Sequence, residues 1–76
     1  MPRYFVDLVQ AGEISADEEG MELRDMAAVR SEVESTIREI VSDSVRAGRA
    51  IGDGEIRVRD TKGRNILALK FRDVVR

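Results

Sequence analysis

Residues 25–48 read DMAAVRSEVESTIREIVSDSVRAG, and this stretch decides the fold. No glycine or proline interrupts it between Asp25 and Gly48. Met26, Val29, Val33, Ile37, Ile40, Val41 and Val45 fall within roughly 160° of arc at 100° per residue, which predicts one amphipathic helix. Arg30 and Ser44 project into the same arc. Arg30 can extend its head to water, and Ser44 can bond back to the carbonyl of Ile40. Asp25 suits an N-cap, because its carboxylate can accept the N–H groups that the first turn leaves open. Gly48 stands where a C′ glycine ends a helix. Glu34 and Arg38 have the spacing of a flanking i,i+4 pair, and Arg46 and Arg49 suit the negative end of the helix dipole.

Working outward toward the N-terminus, Arg3 to Val9 alternates at period two and predicts a strand. Asp7 marks its wetter face, so Tyr4, Val6 and Leu8 are expected to point inward. Ala11-Gly12 is a turn, and Glu13 to Ala16 has the character of a short returning strand carrying Ile14. Asp17-Glu18-Glu19-Gly20 is a second turn in which Gly20 can take a positive φ. Met21 and Leu23 alternate with Glu22 and Arg24. Glu13–Leu23 is therefore compatible with one strand, two strands or a loop.

Toward the C-terminus, Gly48 to Gly54 holds three glycines and predicts a connector. Glu55 to Asp60 alternates, with Ile56 and Val58 on one face and Arg57 and Arg59 on the other. Asp60-Thr61-Lys62-Gly63-Arg64 fits a three-residue hairpin loop closed by a left-handed glycine. Asn65 to Phe71 is the last strand. A three-residue loop would pair Val58 with Ile66 and Ile56 with Ala68, leaving Leu67, Leu69 and Phe71 on the face of Arg57 and Arg59. A slip of one residue reverses this assignment. In either register, Ile66, Leu67, Ala68 and Leu69 put apolar groups on both faces, which predicts a central strand or a covered second face. One helix cannot cover both faces, so this run is the candidate self-association surface.

The chain has 76 residues, room for a single domain spanning 1–76 with a thin core. Cysteine and histidine are absent. That removes disulfides, thiolate metal sites, the commonest transition-metal ligand and the usual general base at neutral pH. No metal or cofactor is expected, and a partner subunit is the remaining way to reinforce so small a domain. No apolar run approaches the length of a membrane span. The opening residues reach Asp7 too early for a signal peptide, so a cytoplasmic location is expected. The formal net charge of −2 is unevenly distributed. Residues 1–45 carry four basic and eleven acidic side chains, whereas residues 46–76 carry nine basic and four acidic ones.

Few residues invite chemistry. Asp17-Glu18-Glu19-Gly20 lacks the alternating oxygen ligands of a calcium loop and reads as a solvated turn. Ser31, Ser35, Ser42 and Ser44 have no base to take a proton. Glu18 with Glu19, or Glu32 with Glu39, sit on polar faces, where nothing would separate their pKa values. Gly48 to Gly54 lacks the G-K-[ST] of a phosphate-binding loop. Arg57, Arg59, Lys62, Arg64, Lys70 and Arg72 do cluster on the C-terminal hairpin and are the candidate anion or nucleic-acid contacts. Charge that blocks a sheet edge is the plainer account of them.

Met1-Pro2-Arg3-Tyr4-Phe5, then Asp17-Glu18-Glu19-Gly20-Met21-Glu22-Leu23, then Asp60-Thr61-Lys62-Gly63-Arg64, resemble a family of short bacterial proteins of unknown function. That family has an M-P-R-Y-F-F start, a D-x-x-G-x-E-L segment and a closing D-x-x-G-R hairpin. Val6 stands here where a second aromatic is usual. The resemblance implies a fold pattern and no chemistry. The order strand, strand, helix is also similar to HicB-type antitoxins, an analogy of fold order alone.

These readings together predict an α+β domain, β-β-α-β-β, with the helix packed on an antiparallel sheet of three or four strands. The expected role is that of a non-enzymatic protein-interaction module acting as a homodimer. The alternative is a nucleic-acid or anion-binding accessory that uses the basic hairpin.

Overall fold

The computed structural model describes residues 1–49 and 52–75, so the middle of the connector expected over 48–54 lies outside the described residues. The chain forms β1 (Arg3–Gln10), β2 (Glu13–Ser15), β3 (Met21–Glu22), α1 (Met26–Arg46), β4 (Glu55–Arg59), β5 (Asn65–Lys70) and a single turn, α2 (Phe71–Val74). The α+β architecture with one main helix is as expected, but the sheet has five strands, because Met21–Glu22 pairs separately. All pairings are antiparallel, in the order β2-β1-β4-β5 with β3 also on β1.

α1 begins at Asp25, whose Oδ1 accepts from the N–H of Ala28 at 2.8 Å. It ends in a Schellman arrangement. The N–H of Gly48 donates to Val45 O and that of Arg49 donates to Ser44 O, which satisfies two of the last carbonyls. Val29, Val33, Ile37 and Val41 are buried, a row at fourfold spacing, with Ile40 partly buried beside it. Each such aliphatic side chain contributes about 1.5–3 kcal/mol by leaving water. The buried stripe is narrower than the sequence suggests. Met26 and Val45, in the first and last turns of the 21-residue helix, are exposed. Glu34 pairs with Arg30 at 3.9 Å and not with Arg38.

On the sheet, Tyr4, Val6 and Leu8 of β1 and Ile56 and Val58 of β4 meet the helix. The last strand adopts the slipped register, with Ile56 opposite Leu69 and Val58 opposite Leu67. A bulge between Val58 and Arg59 then sets Arg59 opposite Asn65, so Ile66 is the extra residue. The bulge corrects the reading of an apolar run with two apolar faces. Ile66, Leu67 and Leu69 all pack on the one core, and of the four only Ala68 is exposed. Two further corrections follow. β5 lies at the edge of the sheet and not in its centre. It also stops at Lys70, where Phe71 turns into α2 and buries its ring at 1% exposure. The N–H of Phe71 donates to Gly54 O at 2.9 Å.

The hairpin between β4 and β5 closes as its residues predict. Asp60 N–H donates to Arg64 O at 3.0 Å, and Gly63, at φ 78°, donates to Asp60 O at 3.1 Å. β1 and β2 are joined by Ala11-Gly12, both at positive φ (53° and 78°), the two-residue turn that matches strand twist.

Candidate functional site

The face of the sheet away from α1 carries Phe5, Asp7 and Val9 of β1 opposite Arg59, Arg57 and Glu55 of β4. The sequence places Asp7 on a wet surface, whereas here it is 7% exposed. Its carboxylate accepts two bonds from the Arg59 guanidinium, from Nε at 2.6 Å and from Nη2 at 3.0 Å. It also accepts the N–H of Asp17 at 2.9 Å. Arg59 Nη2 donates in addition to the carbonyl of Asp17 at 3.1 Å, and the guanidinium lies 5.1 Å from the centroid of the Phe5 ring. Geometry of this kind, bidentate and partly withdrawn from water, gives an ion pair more weight than a surface pair has.

Asp17 completes the arrangement. β2 and β3 lie along the same side of β1, and between them residues 16–20 leave the ladder. Asp17 fills the gap by accepting the N–H of Val6 at 3.1 Å on one oxygen and those of Glu19 and Gly20 at 3.2 and 3.1 Å on the other. Gly20 sits at φ 72°, and a Cβ there would stand 2.8 Å from the carbonyl oxygen of Tyr4, so the turn admits only glycine without rearrangement. Arg3 fastens the far side, donating to Glu19 O at 2.7 Å and to Glu22 at 3.2 Å. Asp7, Asp17 and Arg59 thus form a latch that binds the acidic turn to the centre of the sheet.

The electrostatics follow the hydrogen bonds. Arg59 holds the Asp7 carboxyl below the usual carboxylate range, against the opposing effect of burial. For Asp17 burial is the largest single influence and pushes upward, but the three backbone N–H groups together outweigh it and the net direction is down. Asp7 in turn raises Arg59 above its ordinary value. No buried side-chain polar atom among the described residues lacks a partner. Asp7 and Asp17 each accept three hydrogen bonds, which ties both carboxylates to the latch.

The six candidate hairpin cations do not form one surface. Arg59 is committed to the latch. Arg57 Nε donates to Glu55 at 2.7 Å, and Arg72 lies 3.9 Å from Asp53. Arg64 Nε donates to Asp60 at 2.7 Å, the same carboxylate that accepts the N–H groups of Lys62 and Arg64. Those bonds hold the Asp60 carboxyl below its ordinary range, the Arg64 N–H foremost. Lys62 and Arg64 therefore belong to the turn. Arg57, Lys70 and Arg72 line a cleft at the other end of β4 and β5. The structure separates the two groups; Arg57, Arg59 and Arg64 each hydrogen-bond a carboxylate, and Arg72 makes only a loose exposed pair. Of the candidate self-association residues, Ile66, Leu67 and Leu69 face the core, and Ala68 lies on the cation-bearing face opposite Arg57.

The sequence reading missed the latch. An aspartate within a period-two strand resembles a solvent marker, and its partner Arg59 stands 52 residues away. The only available signal was charge complementarity between Asp7 and the arginine face of β4. Among the described residues no group of three His, Cys, Asp or Glu could hold a metal ion, and no helix is long and apolar enough to cross a membrane.

The fold and this face define a class, the small helix-on-sheet domain whose polar face is closed by an internal ion-pair network. The chain belongs to the family designated domain of unknown function DUF6894, which matches residues 3–72. Comparison with curated proteins and with solved structures gave no match.

Proposed function

We propose that this domain is a non-enzymatic protein-interaction module that pairs with a second copy of itself along β5. The observation that carries the reading is the position of β5 at the edge of the sheet, with β4 on one side and no strand on the other among the described residues. The bond from Phe71 N–H to Gly54 O fixes which backbone groups face β4. By alternation, Ala68 turns its N–H and C=O outward and Lys70 its N–H. Six residues with an apolar centre and unpaired amides make a template for strand addition. Antiparallel pairing about a twofold axis at Ala68 brings Ala68 against its own copy and Ile66 opposite Lys70. No like charges within the strand then oppose each other. The absence of histidine and cysteine supports a role without catalysis. The six hairpin cations are divided among the latch, the turn and the far cleft and present no continuous basic ribbon, which favours the interaction reading over a nucleic-acid accessory role.

Sedimentation equilibrium tests the proposal. The parent is expected to show a dimer mass at micromolar concentration. Ala68→Pro removes only an outward N–H, which edge strands tolerate, and is expected to give a monomer. Ala68→Glu sets two carboxylates against each other at the axis and is expected to do the same. A parent that is monomeric at high micromolar concentration, or a glutamate variant that still dimerises, would overturn the reading.

A further inference from the structure

On the face that carries the latch, the ends of β4 and β5 enclose a cleft of about 370 Å³. Val9 lines its apolar part, and Arg57, Lys70 and Arg72 supply three cations. Glu55 is paired across the strands with Lys70 and bonded to Arg57 Nε, so one carboxylate stands between two of these cations. The second carboxylate, Asp53, has a side chain 99% exposed and lies 3.9 Å from Arg72, a loose surface pair. The cleft therefore keeps a surplus of positive charge after its own ion pairs are formed.

We infer that this cleft binds a small phosphate monoester, held by Arg57, Lys70 and Arg72. A phosphate monoester carries about −1.5 to −2 charges at neutral pH, and the three cations of the cleft outnumber its two carboxylates. The guanidinium fork suits two phosphate oxygens at once, while the lysine acts as a point charge. The volume lies within the range of small-ligand sites and exceeds that of a bare phosphate, so an organic substituent has space beside Val9. Lys70 belongs both to this cleft, through its side chain, and to the β5 edge, through its backbone.

The experiment is a ¹⁵N–¹H NMR titration of the full chain with glycerol 3-phosphate, with inorganic phosphate, and with sodium chloride at matched ionic strength. Saturating shifts are expected at Gly54, Glu55, Lys70 and the Arg57 Nε–H, with the ester binding more tightly than inorganic phosphate. Lys70→Ala and Arg72→Ala, both at exposed positions, are each expected to weaken binding about tenfold or more. Lys62→Ala, in the remote turn, should leave it unchanged. Glu55→Gln removes the competing carboxylate and is expected to tighten binding several-fold, which a merely damaged fold would not do. The same spectra report whether each variant is folded. Shifts reproduced by chloride, spread equally over Lys62 and Arg64, retained in Lys70→Ala, or weakened by Glu55→Gln would overturn the inference.

Discussion

Gly54→Ala is a one-carbon change whose effect can be worked from the structure. An added Cβ would lie 2.6 Å from Cζ of the Phe71 ring and closer still to Cδ2 and Cε2. No carbon pair tolerates that approach, so the ring or the strand must move. The ring cannot simply withdraw. It is 1% exposed, and the Phe71 N–H is bonded to the carbonyl of Gly54 itself. Displacing it forfeits much of what Phe→Ala would lose, about 3–5 kcal/mol. The expected loss for Gly54→Ala is about 3 kcal/mol. A chain of this size has roughly 4–11 kcal/mol in total, at about 0.05–0.15 per residue. The decisive measurement is a double-mutant cycle by urea denaturation followed by circular dichroism. Once Phe71→Ala has removed the ring, the three atoms nearest to the new Cβ are gone. It should then be neutral or stabilise by about 0.4–1 kcal/mol, because alanine restricts the unfolded chain. The interaction energy of the cycle is therefore about 3 kcal/mol. Additive losses, or a Gly54→Ala single variant within about 0.5 kcal/mol of the parent, would refute the steric account.

Two further outcomes are expected. Ala11 is a non-glycine residue at φ 53°, a conformation that costs an L-residue about 1–2 kcal/mol. Ala11→Asn, which tolerates it better, should raise the urea midpoint without changing the slope, and a lowered midpoint would count against the turn assignment. Asp7, Asp17 and Asp60 all titrate below their ordinary values when folded. Each therefore stabilises the fold fully above the unfolded carboxylate pKa of about 3.9 and ceases to do so as pH falls through its depressed folded value. Asp7→Asn should lower stability at pH 7 by about 2 kcal/mol, through the loss of a charged hydrogen-bond acceptor. Its denaturation midpoint should converge with that of the parent as pH falls through the depressed folded value, and two parallel curves would show that ionisation of Asp7 adds nothing.

How legible each part was depends on the range of the interactions that make it. α1 was readable because an N-cap at Asp25, an apolar period and a terminal Gly48 are local signals that agree. The Asp60–Arg64 loop was readable for the same reason. The exposure of Met26 and Val45 was not, since it depends on what packs against the helix and not on the helix's own period. The register of β5 turned on a bulge. Ile66-Leu67 reads as apolar groups on opposite faces unless one knows that an extra residue brings both onto the same core. β3 spans two residues, too few to show any period, and is held by Arg3 and by the Asp17 turn. Of the candidate cations, charge alone could not separate those committed to carboxylates from those lining the cleft. That separation depends on Glu55, Asp60 and Asp7, each of which reads as ordinary surface charge along the chain.

The order β2-β1-β4-β5 also governs the timing of assembly. The two central strands are the first and the fourth in the chain, and the contact that locks them, Asp7 to Arg59, closes a separation of 52 residues. β1 can form its outer hairpin with β2 early, but its inner edge must wait until the helix and the connector have been traversed. Closing a loop on that scale costs entropy before most of the contacts that reward it can form, and pairings of such long sequence separation slow folding in general. Until that register forms, β1 exposes an apolar strand with one open side, and this interval is when the chain is most exposed to aggregation.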